Sequence, residues 1–384
     1  MSDAAFALSA DVVFDGERSH DRAALVVEHG RVAAVLPQSE VPAGLTQQWA
    51  GAMIAPGFVD LQVNGGGGVM FNDTPDVATL RRMADAHARF GTTAMLPTLI
   101  TDRPEVTKAA VAAVRDAVAA GVAGIAGLHL EGPHLSIGRK GAHDPALIRP
   151  MGPEDLAMLV AAARDLPALL VTVAVEAVTP EQIAALKQAD AVVSLGHSGA
   201  SFAEAEAAVA AGARAVTHLF NAMSPLGNRE PGLVGAALAQ GELSAGVIAD
   251  GFHVHPASLG AALRAKVGPG GLFLVTDAMA TVGSELTEFT LNGRRILRRG
   301  GRLTLEDGTL AGADLDMMAA VHFAAETLGL GIERALAMAG AVPARLMGLD
   351  RLGWLGAGSA ADFVVLDAGW TLQAVWRGGE KLTP

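Results

Sequence analysis

Cysteine is absent from this chain of 384 residues. No disulfide can form, and any metal must be held by His, Asp, Glu, Asn or Gln. The absence suits a reducing compartment, so a cytoplasmic protein is expected. Long apolar runs are also missing: Ala168–Val175 falls far short of the roughly 20 residues a membrane span needs. The start, MSDAAFALSADVVFDGERSH, lacks the basic-then-apolar pattern of a signal peptide. Positive charge is scarce, with a formal net charge of −12. Nucleic-acid binding draws on clustered Lys and Arg, so no nucleic-acid partner is expected. A small anion needs only one locally basic pocket and stays open. No strand is followed by a glycine-rich dinucleotide fingerprint, which argues against a doubly wound open sheet.

What is present is ample apolar material, 51% of residues, punctuated by 46 glycines and 18 prolines. Ala24–Glu28 and Arg31–Leu36 flank His29-Gly30 as a hairpin, and Asp362–Leu366 and Gln373–Trp376 are β-type runs near the other end. Neither terminal piece buries much alone, so both ends are expected to pair into one small β-sandwich domain, residues 1–53 with 345–384. Between them, apolar β-rich runs alternate with Ala-rich helical segments. The runs are Met53–Val63, Thr92–Leu99, Ile125–Leu130, Leu169–Val175, Ala191–Leu195, Ala215–Leu219, Ala245–Ala249 and Leu272–Thr276. Eight strands with helical crossovers predict a (β/α)8 TIM barrel over 54–344, an α/β fold. A β-like insertion near 284–310 interrupts it, hanging over the barrel mouth or joining the terminal domain.

Catalytic groups of such barrels come from the C-terminal ends of the strands. Here the ends are polar again and again: Asp60-Leu61-Gln62-Val63-Asn64, His129-Leu130-Glu131, Gly196-His197-Ser198, Thr217-His218, Asp250-Gly251-Phe252-His253 and Thr276-Asp277. Glu131, His197 and His218 have the ligand types of a catalytic metal site, one carboxylate and two imidazoles with a position open for water. Any one histidine alone is more often a satisfied core residue; the joint pattern reverses that preference. Asp277 is the candidate acid–base group, against the competing role of a helix N-cap. Gln62 and Asn64 lie two apart on one strand and face one side. Neutral amides are weaker ligands than imidazoles, so one metal is predicted and the second position, at Gln62 and Asn64, is expected to be empty.

These motifs carry a resemblance. APGFVDLQVNGGGG, GLHLEGPH, KGAH, SLGHS, VTHLFNAMSPL, REPGLVG, ADGFHVHP and LVTDAM look like the N-acetylglucosamine-6-phosphate deacetylases of the amidohydrolase superfamily. LMGLDRLGWLGAGSAADFVVLD is similar to the superfamily's closing segment, and the likeness runs from about residue 50 to the end. The resemblance implies Glu131, His197 and His218 as ligands of one divalent ion, zinc first, with iron(II) or another divalent ion as the alternatives, and Asp277 as proton acceptor and donor. It implies substrate contacts at Ala142, His143, Asn221, Ala222, Arg229, His253, Leu310, Ala311 and Gly312. It also implies a homodimer in which Arg229 reaches the partner's site. The chain departs from many relatives at Gln62-x-Asn64, where they carry His-x-His, and at Gly227-Asn228, where histidine is common.

By the same resemblance, the activity is hydrolysis of N-acetylglucosamine 6-phosphate to acetate and glucosamine 6-phosphate. Asp277 activates the water and then protonates the amine, His143 helps stabilise the oxyanion, and Arg229 and His253 anchor the phosphate. Alternatives are a related amidohydrolase acting on N-acetylgalactosamine 6-phosphate or a cyclic amide, and a non-catalytic barrel subunit. Dihydroorotase-like members would show His-x-His on the first strand and lysine on the fourth; neither is present. A non-catalytic barrel would lack a ligand or Asp277, and all four residues are here.

Overall fold

A computed structural model describes residues 5–382. Residues 1–4, where the sequence was read for a signal peptide, lie outside the described residues, as do 383 and 384.

The centre is an eight-stranded parallel sheet: β1 Phe58–Val63, β2 Thr92–Ile100, β3 Leu128–Glu131, β4 Leu169–Val173, β5 Val192–Leu195, β6 Ala215–Val216, β7 Ser244–Val247 and β8 Leu272–Leu274. Hydrogen-bonded neighbours follow chain order. The ring closes just past β8, where Ala278 bridges Val63 and the Asp277 amide donates to the Gln62 carbonyl at 2.9 Å. This is the expected TIM barrel. Strands buried on both faces read as near-continuous apolar runs, and every residue of β4, LLVTV, is buried.

Helices cover the outside, and several start where local chemistry dictates. Thr179 with Gln182, and Ser201 with Glu204, form reciprocal capping boxes at Pro180–Gln188 and Phe202–Ala211. Proline occupies the first turn of Pro104–Ala119, Pro153–Asp165 and Pro256–Ala265, where its missing N–H costs nothing. One helix carries no periodic signal in the sequence, Gly232–Ala239 between β6 and β7. Its sequence, GLVGAALA, is apolar all round and nearly all buried, so no amphipathic stripe marks it.

Both ends of the chain meet in a seven-stranded sheet, ordered 380–381, 372–377, 363–366, 46–56, 6–14, 19–28, 31–37. Phe363–Leu366 runs antiparallel to Thr46–Pro56 and joins the C-terminal part to the N-terminal one. Leu8, Leu25, Ile54 and Phe363 fill its own small core. The hairpin turn at His29 (φ 50°) and Gly30 (φ 72°) is left-handed at both positions, as a two-residue turn matching strand twist requires. No described helix is long and apolar enough to cross a membrane.

The insertion is a four-stranded antiparallel meander, Glu288–Leu291, Arg294–Arg299, Arg302–Thr304 and Leu310–Ala313. Of the two placements open from sequence, the barrel mouth is correct. Leu291, Ile296, Leu303 and Ala311 pack on Met70, Ile100 and Met279, all from segments at or beyond the strand ends. Ala313 also bridges Ala278, tying the insertion to the exit of β8.

Candidate active site

The strand ends converge. Glu131 closes β3 and is buried, as are His197 after β5 and His218 after β6. His218 Nε2 lies 3.0 Å from Glu131 Oε1, His197 Nε2 lies 3.1 Å from that oxygen, and the two nitrogens are 3.1 Å apart. Three side chains separated by up to 87 positions thus point their donor atoms at one spot.

Backbone geometry makes this possible at a cost. His197 (φ 48°), His218 (φ 29°) and Asp277 (φ 51°) all adopt left-handed conformations that L side chains rarely take. Such residues typically cost about 1–3 kcal/mol each and gather at functional sites. Here the kink turns each side chain off its strand and into the barrel mouth.

The chemistry of the cluster fits a divalent cation. His197 Nδ1 sits 2.8 Å from the Arg139 carbonyl oxygen, which can only accept, so Nδ1 carries the proton. In the neutral ring, Nε2 is then an electron pair aimed at Glu131 and His218. Burial pushes the Glu131 carboxyl up, but the hydrogen bonds and charges of His197 and His218 outweigh it and hold the group well below its ordinary range. Burial likewise pulls His218 down, yet Glu131 carries it above its usual value. One carboxylate and two imidazoles of this kind are zinc-type donors. A nitrogen of His143 also lies within 4.8 Å of the ligand atoms of Glu131 and His197, so a fourth donor borders the cluster.

Asp277 stands beside the cluster, in van der Waals reach of the same cavity. No helix starts at it, so capping is not its role. Its Oδ1 accepts from Asn64 Nδ2 at 2.7 Å and from Gln62 Nε2 at 3.1 Å, while Gln62 also donates to both oxygens of Glu131 at 3.3 and 3.4 Å. The two amides therefore orient the carboxylates by donating to them. Burial, and then the charge of Glu131, push the Asp277 carboxyl up to about 6. Beneath it, Asp60 accepts from the Thr276 hydroxyl at 2.5 Å and from two backbone amides, pinning β1 to the chain leaving β8. Burial pushes Asp60 up to about 7.

A cavity of about 250 Å³ opens over these groups. It is lined by Ala142, His143, Asn221, Ala222, His253, Leu310 and Gly312, all singled out from the sequence. Two of the candidates are elsewhere. Ala311 is fully buried against Leu291, Ile296 and Leu303 within the insertion's own core, because alternate residues of Leu310–Ala313 face opposite sides. Arg229 is exposed on the loop after β6 and does not line this cavity. A larger cleft of about 660 Å³ lies between the terminal sheet and Ala341–Leu346, lined by none of the candidate site residues.

Sequence reasoning missed the residues that hold these groups. Thr101 Oγ1 lies 2.7 Å from His143 Nδ1, with a longer 3.4 Å contact to the Glu131 carbonyl. Burial, then the charge of His197, pull His143 down to about 3, so it is neutral near pH 7. Thr101 carries no local signature that would have exposed it. Gly132 makes room for it: at φ 86°, an added Cβ would lie 2.3 Å from Thr101 Oγ1. Gly132→Ala is expected to destabilise the fold by about 1–3 kcal/mol and to cut turnover as well, by displacing Thr101 from His143. Thermal unfolding beside steady-state kinetics checks both.

A barrel that gathers one carboxylate, two imidazoles and a lone aspartate at its strand ends is the architecture of a metal-dependent hydrolase. Residues 53–382 match the amidohydrolase family, and the chain belongs to it. It is 49% identical to the N-acetylgalactosamine-6-phosphate deacetylase of Shewanella sp. (strain ANA-3), over 87% of this chain and 84% of that protein. It is 37% identical to the N-acetylglucosamine-6-phosphate deacetylase of Haemophilus influenzae, over 89% and 90%. Among solved structures, the N-acetylglucosamine-6-phosphate deacetylase of Pasteurella multocida superposes with a TM-score of 0.94 at 34% identity, covering 99% of this chain and all of that one.

Proposed function

We propose that this chain is a cytoplasmic enzyme of amino-sugar catabolism that hydrolyses the acetamide of N-acetyl-D-glucosamine 6-phosphate to D-glucosamine 6-phosphate and acetate. The observation that carries the reading is the meeting of Glu131, His197 and His218 within 3.1 Å beside the buried Asp277. Those three side chains would hold one divalent ion, zinc in the first instance and iron(II) as the alternative. When bound there, the ion supplies Lewis-acid activation of water and of the amide carbonyl.

The remaining work falls to the protein's own groups. Asp277, its Oδ1 committed to Gln62 and Asn64, takes the proton of the attacking water on its other oxygen. Water oxygen adds to the carbonyl carbon, the C–N bond breaks, and Asp277 returns the proton to the departing amine. His143, neutral and held at Nδ1 by Thr101, stabilises the developing oxyanion in the tautomer that carries its proton on Nε2. Gln62 and Asn64 turn their amide nitrogens to the two carboxylates, and neutral amide oxygens are weaker ligands than imidazoles, which supports one ion rather than two. His253 anchors the phosphate from within the cavity. Arg229 does so from a second subunit of a homodimer, a reading supported by its exposure outside the cavity of its own chain.

A second reading, N-acetylgalactosamine 6-phosphate as substrate, is favoured by the 49% identity to the Shewanella protein. Acetate release from both N-acetylhexosamine 6-phosphates and both unphosphorylated sugars separates the possibilities. The gluco epimer with phosphate is expected to give the highest kcat/KM. A preference for the galacto epimer would transfer the assignment to the second reading, and turnover of neither phosphorylated sugar would remove both.

A further inference from the structure

The turn after β7 holds a carboxylate that the mechanism above does not use. Asp250 Oδ1 accepts from the backbone amides of Phe252 at 2.8 Å and His253 at 2.9 Å. Its other oxygen, Oδ2, lies 2.6 Å from His253 Nδ1. Both side chains are more than nine-tenths buried. Gly251, at φ 73°, lets the chain turn tightly enough to bring residues 250 and 253 together. The imidazole then faces the substrate cavity, where Nε2 bonds no described residue.

We propose that Asp250 is a positioning residue for substrate phosphate, acting through His253. An ionised carboxylate only accepts, so the His253 Nδ1 must be the donor in the 2.6 Å contact. That commitment fixes the tautomer and the plane of the ring. With Nδ1 occupied, Nε2 can offer an N–H to an anion only when the ring is cationic, and Asp250 supplies the countercharge directly behind it. The three acceptor contacts are divided so that backbone holds one oxygen and the ring the other; rotation of the carboxylate would break both sets. Asp250 also stays ionised: burial raises its carboxyl, but the hydrogen bond and charge of His253 and the two amides bring it below its ordinary value. No other acidic side chain of this turn reaches the ring, and the one facing it across the cavity, Asp277, is held by Gln62 and Asn64.

The inference rests on His253 as the phosphate anchor, so the test separates the two. Asp250→Asn, His253→Ala and the double variant are compared in the full-length enzyme on phosphorylated and unphosphorylated N-acetylhexosamine, with inorganic phosphate as competing inhibitor. Asp250→Asn should raise KM for the phosphorylated sugar by about tenfold or more, as when other ring-orienting partners are lost, while kcat falls less than KM rises. Inhibition by inorganic phosphate should weaken in parallel, and KM for the plain sugar should not follow. In the His253→Ala background, adding Asp250→Asn should change KM no further. An equal KM penalty with or without His253, or an equal penalty on the plain sugar, would overturn the proposal as a merely structural effect. If His253→Ala raises KM for the phosphorylated sugar and Asp250→Asn does not, the anchor stands and the proposal fails. If His253→Ala leaves that KM unchanged, the anchor itself fails and takes the proposal with it. Should Asp250→Asn not fold, Asp250→Ser keeps an acceptor for the two backbone amides and runs the same cycle.

Discussion

Asp277→Asn is expected to lower kcat by about 10²–10⁴, with the bound ion and the melting temperature retained. The prediction follows from what surrounds the side chain. Gln62 and Asn64 both donate to Oδ1, and the carbonyl oxygen of an asparagine accepts both bonds equally well. Position and packing therefore survive, and only the ability to take up and return a proton is lost. Burial and Glu131 already tune the carboxyl upward, to about 6, which brings it closer to the pH at which a group serves both as base and as acid. Turnover close to that of the unaltered enzyme would remove Asp277 from the proton path. Turnover lost together with the ion would instead make it a ligand.

Glu131→Ala should abolish both ion binding and turnover. Glu131 Oε1 is the point on which His197, His218 and Gln62 all converge, so its removal leaves two imidazoles and an amide without a common partner. Affinity for the ion should fall by more than the roughly 10–100-fold typical of losing an outer partner. Elemental analysis of the purified variant, with acetate release measured before and after adding zinc, reads both effects. Full ion content in the variant would mean that His197 and His143, or other groups, bind it without the carboxylate.

Much of this site could be read before the structure because barrel topology converts position in the chain into position in space. Glu131, His197 and His218 each end a parallel apolar run, and in a barrel all such ends face one mouth. The same logic placed Asp277; Arg229, which ends no strand, entered only through the family resemblance and lies outside the cavity of its own chain. What stayed hidden depends on backbone conformation and on partners distant in sequence. Nothing in the letters announces that His218 lies at φ 29°, or that Thr101 reaches His143 from the end of β2. Asp250 was within reach, since an aspartate three residues before a histidine across a glycine is a turn that closes on itself. Ala311 is turned away while its neighbours Leu310 and Gly312 face the cavity, because a strand sends every second side chain to the other side. The insertion had no periodicity linking it to either body, and only its contacts with Met70, Ile100 and Met279 place it over the mouth.

The most direct test is anomalous diffraction from crystals of the full-length enzyme grown with zinc, supported by elemental analysis. One peak per chain, bound by Glu131, His197 and His218 and within reach of Asp277, is the predicted result. A peak at Gln62 and Asn64 instead, or none between the carboxylate and the two imidazoles, would contradict it.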